Sequence, residues 1–199
     1  MKKIVITQRY EKIGKFEEYR DNVDSKLPLL VQKLGYIPIL VPNNLENLNR
    51  FISEISPEGI ILSGGGDPFK KDLRYYNEKK LIKISIDKNI PIIGICRGAQ
   101  VLNIFFGGKL KRVSNHVRKH HKIFGPLVKN LKIKVNSFHD FGFFKETLGK
   151  DLKLLAYSSD NVVKSFCHKN YKLLGIMWHP ERNKNVQKFD KNLIKRYFL

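Results

Sequence analysis

The sequence predicts an α/β fold: a doubly wound, mostly parallel sheet flanked by helices, with a small antiparallel insert. Over the first 106 residues, short apolar runs rich in Ile and Val alternate with amphipathic stretches, the pattern of successive βαβ units. The runs are continuous rather than alternating, as expected for strands covered on both faces. After Gly108 the apolar runs shorten and turns separate them, which fits antiparallel strands. At 199 residues the chain is long enough for a substantial core, and one domain spanning 1–199 is expected.

Lys3–Thr7 is the first strand, followed by Gln8-Arg9-Tyr10 and a polar loop to about Asp24. Ligands of a parallel sheet sit beyond the carboxyl ends of its strands, so Arg9 and Tyr10 are candidate ligand contacts as well as plausible solvated loop residues. A helix follows, capped by Asp24 or Ser25, with Pro28 in its first turn and Gly35 at its end. Its Leu27, Leu30, Val31 and Leu34 recur with helical period and form one buried stripe. Tyr36–Val41 is the second strand. Asn43 or Asn44 starts the next helix, whose inner face carries Leu45, Leu48, Ile52 and Ile55. Gly59–Leu62 is the third strand, Lys79–Lys88 a helix, and Ile90–Ile95 the fourth strand. Beyond Gly108, Lys109–Val113, Lys132–Val135, Leu152–Tyr157 and Val162–Cys167 are short strands, and Leu173–Met177 is an apolar one. A helix with Val186, Phe189, Leu193 and Tyr197 inward closes the chain.

Composition excludes several classes. Two cysteines, Cys96 and Cys167, make neither a disulfide framework nor a metal-binding spacing, so no metal is expected and a reduced, cytoplasmic setting is. The apolar stretch after Met1-Lys2-Lys3 ends at Thr7, too short for a signal peptide, and no run approaches a membrane span. The net charge of +20 admits a nucleic-acid partner, an anionic small ligand, or a lysine-rich compositional bias. Cys167 and His168 are adjacent, so a strand points them to opposite faces and they read as structural.

Three strand ends carry unusual residues. In Gly94-Ile95-Cys96-Arg97-Gly98-Ala99-Gln100 a strand turns into the helix Val101–Phe106, and Cys96 sits at the turn with glycines on both sides. That is the nucleophile-elbow arrangement, with helix N–H groups and dipole favouring a thiolate; a buried structural cysteine is the plain alternative. Leu62-Ser63-Gly64-Gly65-Gly66-Asp67-Pro68 places three glycines after a strand, either as a tight turn or as a loop whose bare amides approach a ligand. No Gly-Lys-Ser/Thr follows, so it is not a nucleotide P-loop. Trp178-His179-Pro180-Glu181 follows the last strand. With residues two apart, His179 and Glu181 share a side of an extended segment, as a base and the carboxylate that orients it must.

Together G-I-C-R-G-A-Q, L-S-G-G-G-D-P and G-I-M-W-H-P-E resemble the class I glutamine amidotransferase superfamily. Within it they resemble the stand-alone γ-glutamyl hydrolase branch (peptidase C26), which includes γ-glutamyl-γ-aminobutyrate hydrolases and favours Arg after the catalytic cysteine, as Arg97 stands here. The resemblance implies that Cys96 is the nucleophile, His179 the general base and then acid, and Glu181 the orienting carboxylate. It implies an oxyanion hole from the backbone N–H groups of Gly64 and Arg97, with Gly65, Gly66 and Gln100 beside the glutamyl group. Asn136-Ser137-Phe138-His139-Asp140 resembles a further substrate segment, giving Phe138 and His139 as contacts, although Asp140 departs from the pattern. No cofactor is implied.

Two features favour an anionic leaving group: Arg9, and the basic cluster Lys109, Lys111, Arg112, Arg118 and Lys119 with His116, His120 and His121 nearby. Small size, lysine content and the motif set resemble the members that hydrolyse a γ-glutamyl-CDP-amidate in making the phosphoramidate decoration of capsular polysaccharide. The alternatives are a γ-glutamyl-γ-aminobutyrate hydrolase and a detached glutaminase subunit. A basic nucleic-acid-binding protein would explain the charge but leaves the glycine loop and the His-Pro-Glu turn without a purpose, so no nucleic-acid or membrane partner is expected. The oligomeric state is not legible.

Overall fold

The computed structural model describes residues 2–15, 17–129 and 131–198. Its elements run β1 (Lys3–Thr7), β2 (Arg9–Ile13), β3 (Glu18–Asn22), α1 (Lys26–Lys33), β4 (Ile37–Val41), α2 (Leu48–Ile55), β5 (Gly59–Leu62), α3 (Leu73–Asp87), β6 (Ile92–Ile95) and α4 (Arg97–Phe105). The second half continues β7 (Lys111–Arg112), β8 (Val117–Phe124), β9 (Lys134–Phe138), β10 (Phe141–Gly142), β11 (Leu152–Ser158), β12 (Val163–His168), β13 (Leu173–Ile176) and α5 (Lys188–Phe198).

One nine-stranded sheet runs in the order β4-β1-β5-β6-β13-β12-β11-β8-β9. Its pairs from β4 through β13 are parallel, and those from β13 to β9 are antiparallel. The antiparallel strands therefore extend the main sheet, and among the described residues only the pairs β2–β3 and β7–β10 form separate small sheets. Burial divides by face: α1 and α5 pack with Ile4, Ile6, Ile93 and Ile95 on one side, while α2, α3 and α4 pack with Val5, Ile60, Leu62 and Ile92 on the other. Alternate residues of one strand feeding two helical layers is what a doubly wound sheet requires. Among the described residues, no helix is long and apolar enough to cross a membrane.

Several boundaries differ from the sequence reading. The segment expected as a loop after Gln8 is the hairpin β2–β3. Its strands are polar on both sides, so no alternation marks them, and they are joined by the stacked rings of Tyr10 and Tyr19 (centroids 4.9 Å apart). The second helix starts at Leu48, where Asn47 Oδ1 accepts from the Arg50 N–H at 2.9 Å. Asn43 is no cap; its buried side chain donates to the Gln8 carbonyl and to Asp21, fastening the hairpin to the sheet. Helix α3 begins well before Lys79, capped by Asp72, because its first turns bury the polar residues Arg74, Asn77 and Glu78 that an apolar pattern does not flag. Strand β8 escapes the pattern for the same reason: it reads Val-Arg-Lys-His-His-Lys-Ile-Phe and is mostly exposed.

Candidate active site

The register of three neighbouring strands brings the three motifs together. Leu62 of β5 pairs with Gly94 of β6, and Gly94 with Gly175 of β13. Two residues further on, Gly64 and Cys96 face each other at the carboxyl edge, and His179 lies four beyond Gly175. The ladder persists past β6, since the Cys96 N–H donates to the Ile176 carbonyl at 2.7 Å.

Cys96 is the N-cap of α4 with φ 52°, a left-handed conformation that is unfavourable for a residue with a Cβ and is retained mostly at functional turns. The glycines around it are steric necessities. A Cβ on Gly94 would stand 2.6 Å from the Gly98 carbonyl, and one on Gly98 would fall onto the Leu62 backbone. This lets the first turn of α4 press against β5 and β6. Gly98→Ala is therefore expected to lower stability by about 1–3 kcal/mol, read as the shift in a urea unfolding midpoint; an unchanged midpoint would refute the close-packing account.

His179 and Glu181 are nearly sealed from solvent, at 2% and 7% exposure. His179 Nδ1 is 2.6 Å from Glu181 Oε1, and the imidazole and the Cys96 side chain both border Gly64, where a Cβ would touch each of them. Its backbone is clamped by Asn136, whose Oδ1 accepts from the His179 N–H and whose Nδ2 donates to the His179 carbonyl, both at 2.8 Å. Phe138 meets the imidazole edge to face at 5.7 Å. One residue earlier, the buried Trp178 indole donates to Asp190 of α5 at 2.9 Å, anchoring the turn from behind. Burial would lower the imidazole pKa, but the Cys96 charge and the hydrogen bond that the ring donates to Glu181 outweigh it and raise it to about 9. Sulfur, imidazole and carboxylate in this order can pass a proton between the sulfur and a bound reactant.

The glycine loop is held from below by an ion network that the sequence reading missed. Glu78 is wholly buried and pairs with both Arg74 (2.8 Å) and Arg97. Arg74 donates to the carbonyls of Ser63 (2.6 Å) and Gly65 (2.7 Å), and Thr7 Oγ1 links Glu78 to the Ser63 N–H. With the Ser63 and Gly65 carbonyls drawn down, the trans peptides turn the Gly64 and Gly66 N–H groups to the other side. Gly64 is packed tightly there: a Cβ would lie 2.6 Å from His179 Cε1 and 3.5 Å from the Cys96 Cβ. The Arg97 side chain turns away from Cys96 into this network, so only its backbone N–H is left at the elbow.

Cys96, Gly65, Gly66, Arg97, Gln100, Phe138 and His139 line one cavity of about 280 Å³, completed by Asp67, Pro68, Asp140 and Phe141. Seven of the residues singled out in the sequence thus share a wall. Arg9 is close by, its guanidinium packed on Gly65, but Tyr10 is engaged with Tyr19 and neither lines the cavity. Lys109, Lys111, Arg112, Arg118 and Lys119 are exposed and lie outside it, while His116 is fully buried.

The fold is that of the glutamine amidotransferases. A glutamine amidotransferase of Thermotoga maritima superposes with a TM-score of 0.68 over 98% of this chain and 84% of that one, at 18% identity. A family model described as glutamine amidotransferase class-I matches residues 18–199. The chain belongs to that family and is an enzyme acting on amide C–N bonds. It is 36% identical over 150 residues to a gamma-glutamyl-CDP-amidate hydrolase of Campylobacter jejuni subsp. jejuni serotype O:2, covering 71% of this chain and 70% of the relative. It is 28% identical over 149 residues to a glutamine-hydrolyzing GMP synthase subunit of Methanococcus vannielii, covering 73% and 75%.

Proposed function

We propose that the chain, as one domain, is a cytoplasmic γ-glutamyl amide hydrolase that works through a Cys96–His179–Glu181 triad and a thioester. The observation that carries this reading is His179 Nδ1 held 2.6 Å from Glu181 Oε1, with the imidazole and Cys96 packed side by side against Gly64. The Cys96 sulfur attacks the γ-carbonyl carbon, and the carbonyl oxygen becomes an oxyanion taken up by the Gly64 and Arg97 N–H groups, each worth about 2.7–4 kcal/mol in comparable sites. Collapse of the adduct breaks the C–N bond, and His179 gives its proton to the departing nitrogen. A water molecule then loses a proton to His179 and attacks the thioester, and glutamate leaves as Cys96 is regenerated. Gly65, Gly66, Gln100, Phe138 and His139 hold the glutamyl group. Both cysteines are free thiols, in keeping with a reduced compartment.

The leaving group we assign is cytidine diphosphoramidate, from γ-glutamyl-CDP-amidate, within capsular polysaccharide phosphoramidate biosynthesis. The named Campylobacter relative supports it, and the Arg9 guanidinium packed on Gly65, outside the cavity lining, is a cation beside the site. Glutaminase activity feeding a partner synthetase is the second reading, favoured by the likeness to one chain of a GMP synthase; γ-glutamyl-γ-aminobutyrate is the third candidate substrate. No nucleic acid enters this scheme. Glutamate release from the three substrates, measured side by side as kcat/KM, decides among them. The CDP-amidate is expected to be turned over best, and a preference for glutamine or γ-glutamyl-γ-aminobutyrate would overturn the leaving-group assignment while leaving the triad in place.

A further inference from the structure

Behind the cavity wall sits a cation that the chemistry above does not use. Lys164 of β12 is fully buried, and its Nζ lies 2.8 Å from His116 Nδ1, 2.7 Å from Ser137 Oγ and 3.2 Å from His139 Nε2. The neighbours fix the direction of each bond. His139 Nδ1 is 3.0 Å from the Phe141 carbonyl, which can only accept, so Nδ1 carries the hydrogen and Nε2 accepts from Lys164. His116 Nε2 is 2.8 Å from Asp160 Oδ2, which leaves its Nδ1 to accept likewise. The three hydrogens of an ammonium thus meet three acceptors. The same Phe141 carbonyl also accepts from Gln100 Nε2 at 2.6 Å, and His139, Phe141 and Gln100 all line the Cys96 cavity.

We propose that Lys164 is a positioning residue of this site: its buried amine locks His139 in one tautomer and orientation and, through the shared Phe141 carbonyl, fixes Gln100, so that this wall is set for the γ-glutamyl group. The inference rests on the reading of the cavity as the γ-glutamyl site. An imidazole with both nitrogens committed cannot act as a base, and burial, followed by the Lys164 charge, pushes the His139 pKa down to about 2. The ring is a neutral, fixed wall. Lys164 itself is lowered to about 7 by burial, with the charges of Asp160 and Cys96 holding it up. The groups facing it come from every side: His116 and His121, whose rings stack at 4.2 Å, Ser137 and His139 at the end of β9, Asp160 between β11 and β12, and Cys96 at the elbow. When Lys164 loses its proton, two N–H groups remain for the two imidazoles and the Ser137 hydroxyl can reverse to donate. The hydrogen bonds survive, but the positive charge behind the cavity is lost, and attraction for the substrate carboxylate goes with it.

Lys164→Gln keeps two donors without the charge, and Lys164→Met removes both. With γ-glutamyl-p-nitroanilide as a generic substrate, KM is expected to rise about tenfold in Lys164→Met, with kcat within about threefold. Wild-type KM is expected to climb as pH rises through about 7, and the Lys164→Gln profile to be flat there. A merely structural lysine would instead lower kcat and raise KM together in both variants. The imidazole ¹⁵N spectrum gives a readout independent of turnover: His139 should be a single Nδ1–H tautomer in wild type and a mixture in Lys164→Met. An unchanged KM or an unchanged tautomer in that variant overturns the proposal; if Lys164→Met does not fold, a pH-dependent KM persisting in Lys164→Gln does so. If the wild type cleaves no γ-glutamyl amide although Cys96 is alkylated, the proposed function fails, and the His139 spectrum still decides the role of Lys164.

Discussion

Cys96→Ala is expected to lose γ-glutamyl hydrolysis by roughly 10⁵–10⁶-fold, the scale seen when the nucleophile of a triad acting as a unit is removed. The loss should appear in kcat, because the cavity wall of Gln100, Phe138 and His139 does not depend on the sulfur. The variant has a second, independent signature. Burial lowers the His179 pKa, and the Cys96 charge is the largest influence raising it to about 9. Without the sulfur the imidazole should titrate well below 9, readable from its carbon-bound proton shifts. The sign for stability follows. A folded pKa above the ordinary 6.5 means that the native state holds a proton the unfolded chain gives up between pH 6.5 and 9. The stabilisation is fully present below 6.5 and is lost as pH rises through 9, so wild-type stability falls across that window and Cys96→Ala should fall less. Full hydrolysis by Cys96→Ala would overturn the catalytic assignment, and an unmoved His179 titration would overturn the electrostatic one.

What the sequence discloses and what it conceals divide along a physical line. Cys96, Gly64, His179 and Glu181 are legible because each follows a continuous apolar strand, so the end of the run marks the edge of the sheet. The residues that hold them are charged or amide side chains buried in pairs. Arg74, Glu78, Asn136 and Lys164 lie in segments where such residues ordinarily face solvent, and only the fold reveals their partners. Glu78 meets Thr7, Lys164 meets His116, and Asn136 meets His179, all distant in sequence. Hydrophobic periodicity carries no information about these pairings. For the same reason it passes over β8 and starts α3 too late, and Asn43 reads as a cap although its amide ties down a hairpin whose strands have no apolar face.

Glu78→Gln is expected to cost about 3–5 kcal/mol of folding stability, the usual result of breaking a buried ion pair by removing one partner. The substitution preserves shape and leaves two guanidinium groups, Arg74 and Arg97, buried around a neutral amide. Burial already lowers the Arg74 pKa, with Glu78 opposing it and Arg97 adding to it; without the carboxylate only the unfavourable influences remain. The damage should reach the chemistry, because Arg74 holds the Ser63 and Gly65 carbonyls and Glu78 steadies Thr7, which in turn accepts from the Ser63 N–H. A loosened loop misplaces the Gly64 N–H, so kcat should fall in the fraction that stays folded, while alkylation of Cys96, which needs no oxyanion donor, should be spared. Urea unfolding followed together with kcat tests both claims. Replacing the whole network by apolar residues, Arg74→Met with Glu78→Leu and Arg97→Met, should restore much of the stability and none of the activity, since an apolar cluster has no donors for the loop carbonyls. A loss below about 1 kcal/mol in Glu78→Gln, the range of an exposed pair, would mean that the glycine loop is positioned by its own turn and not by the ions beneath it.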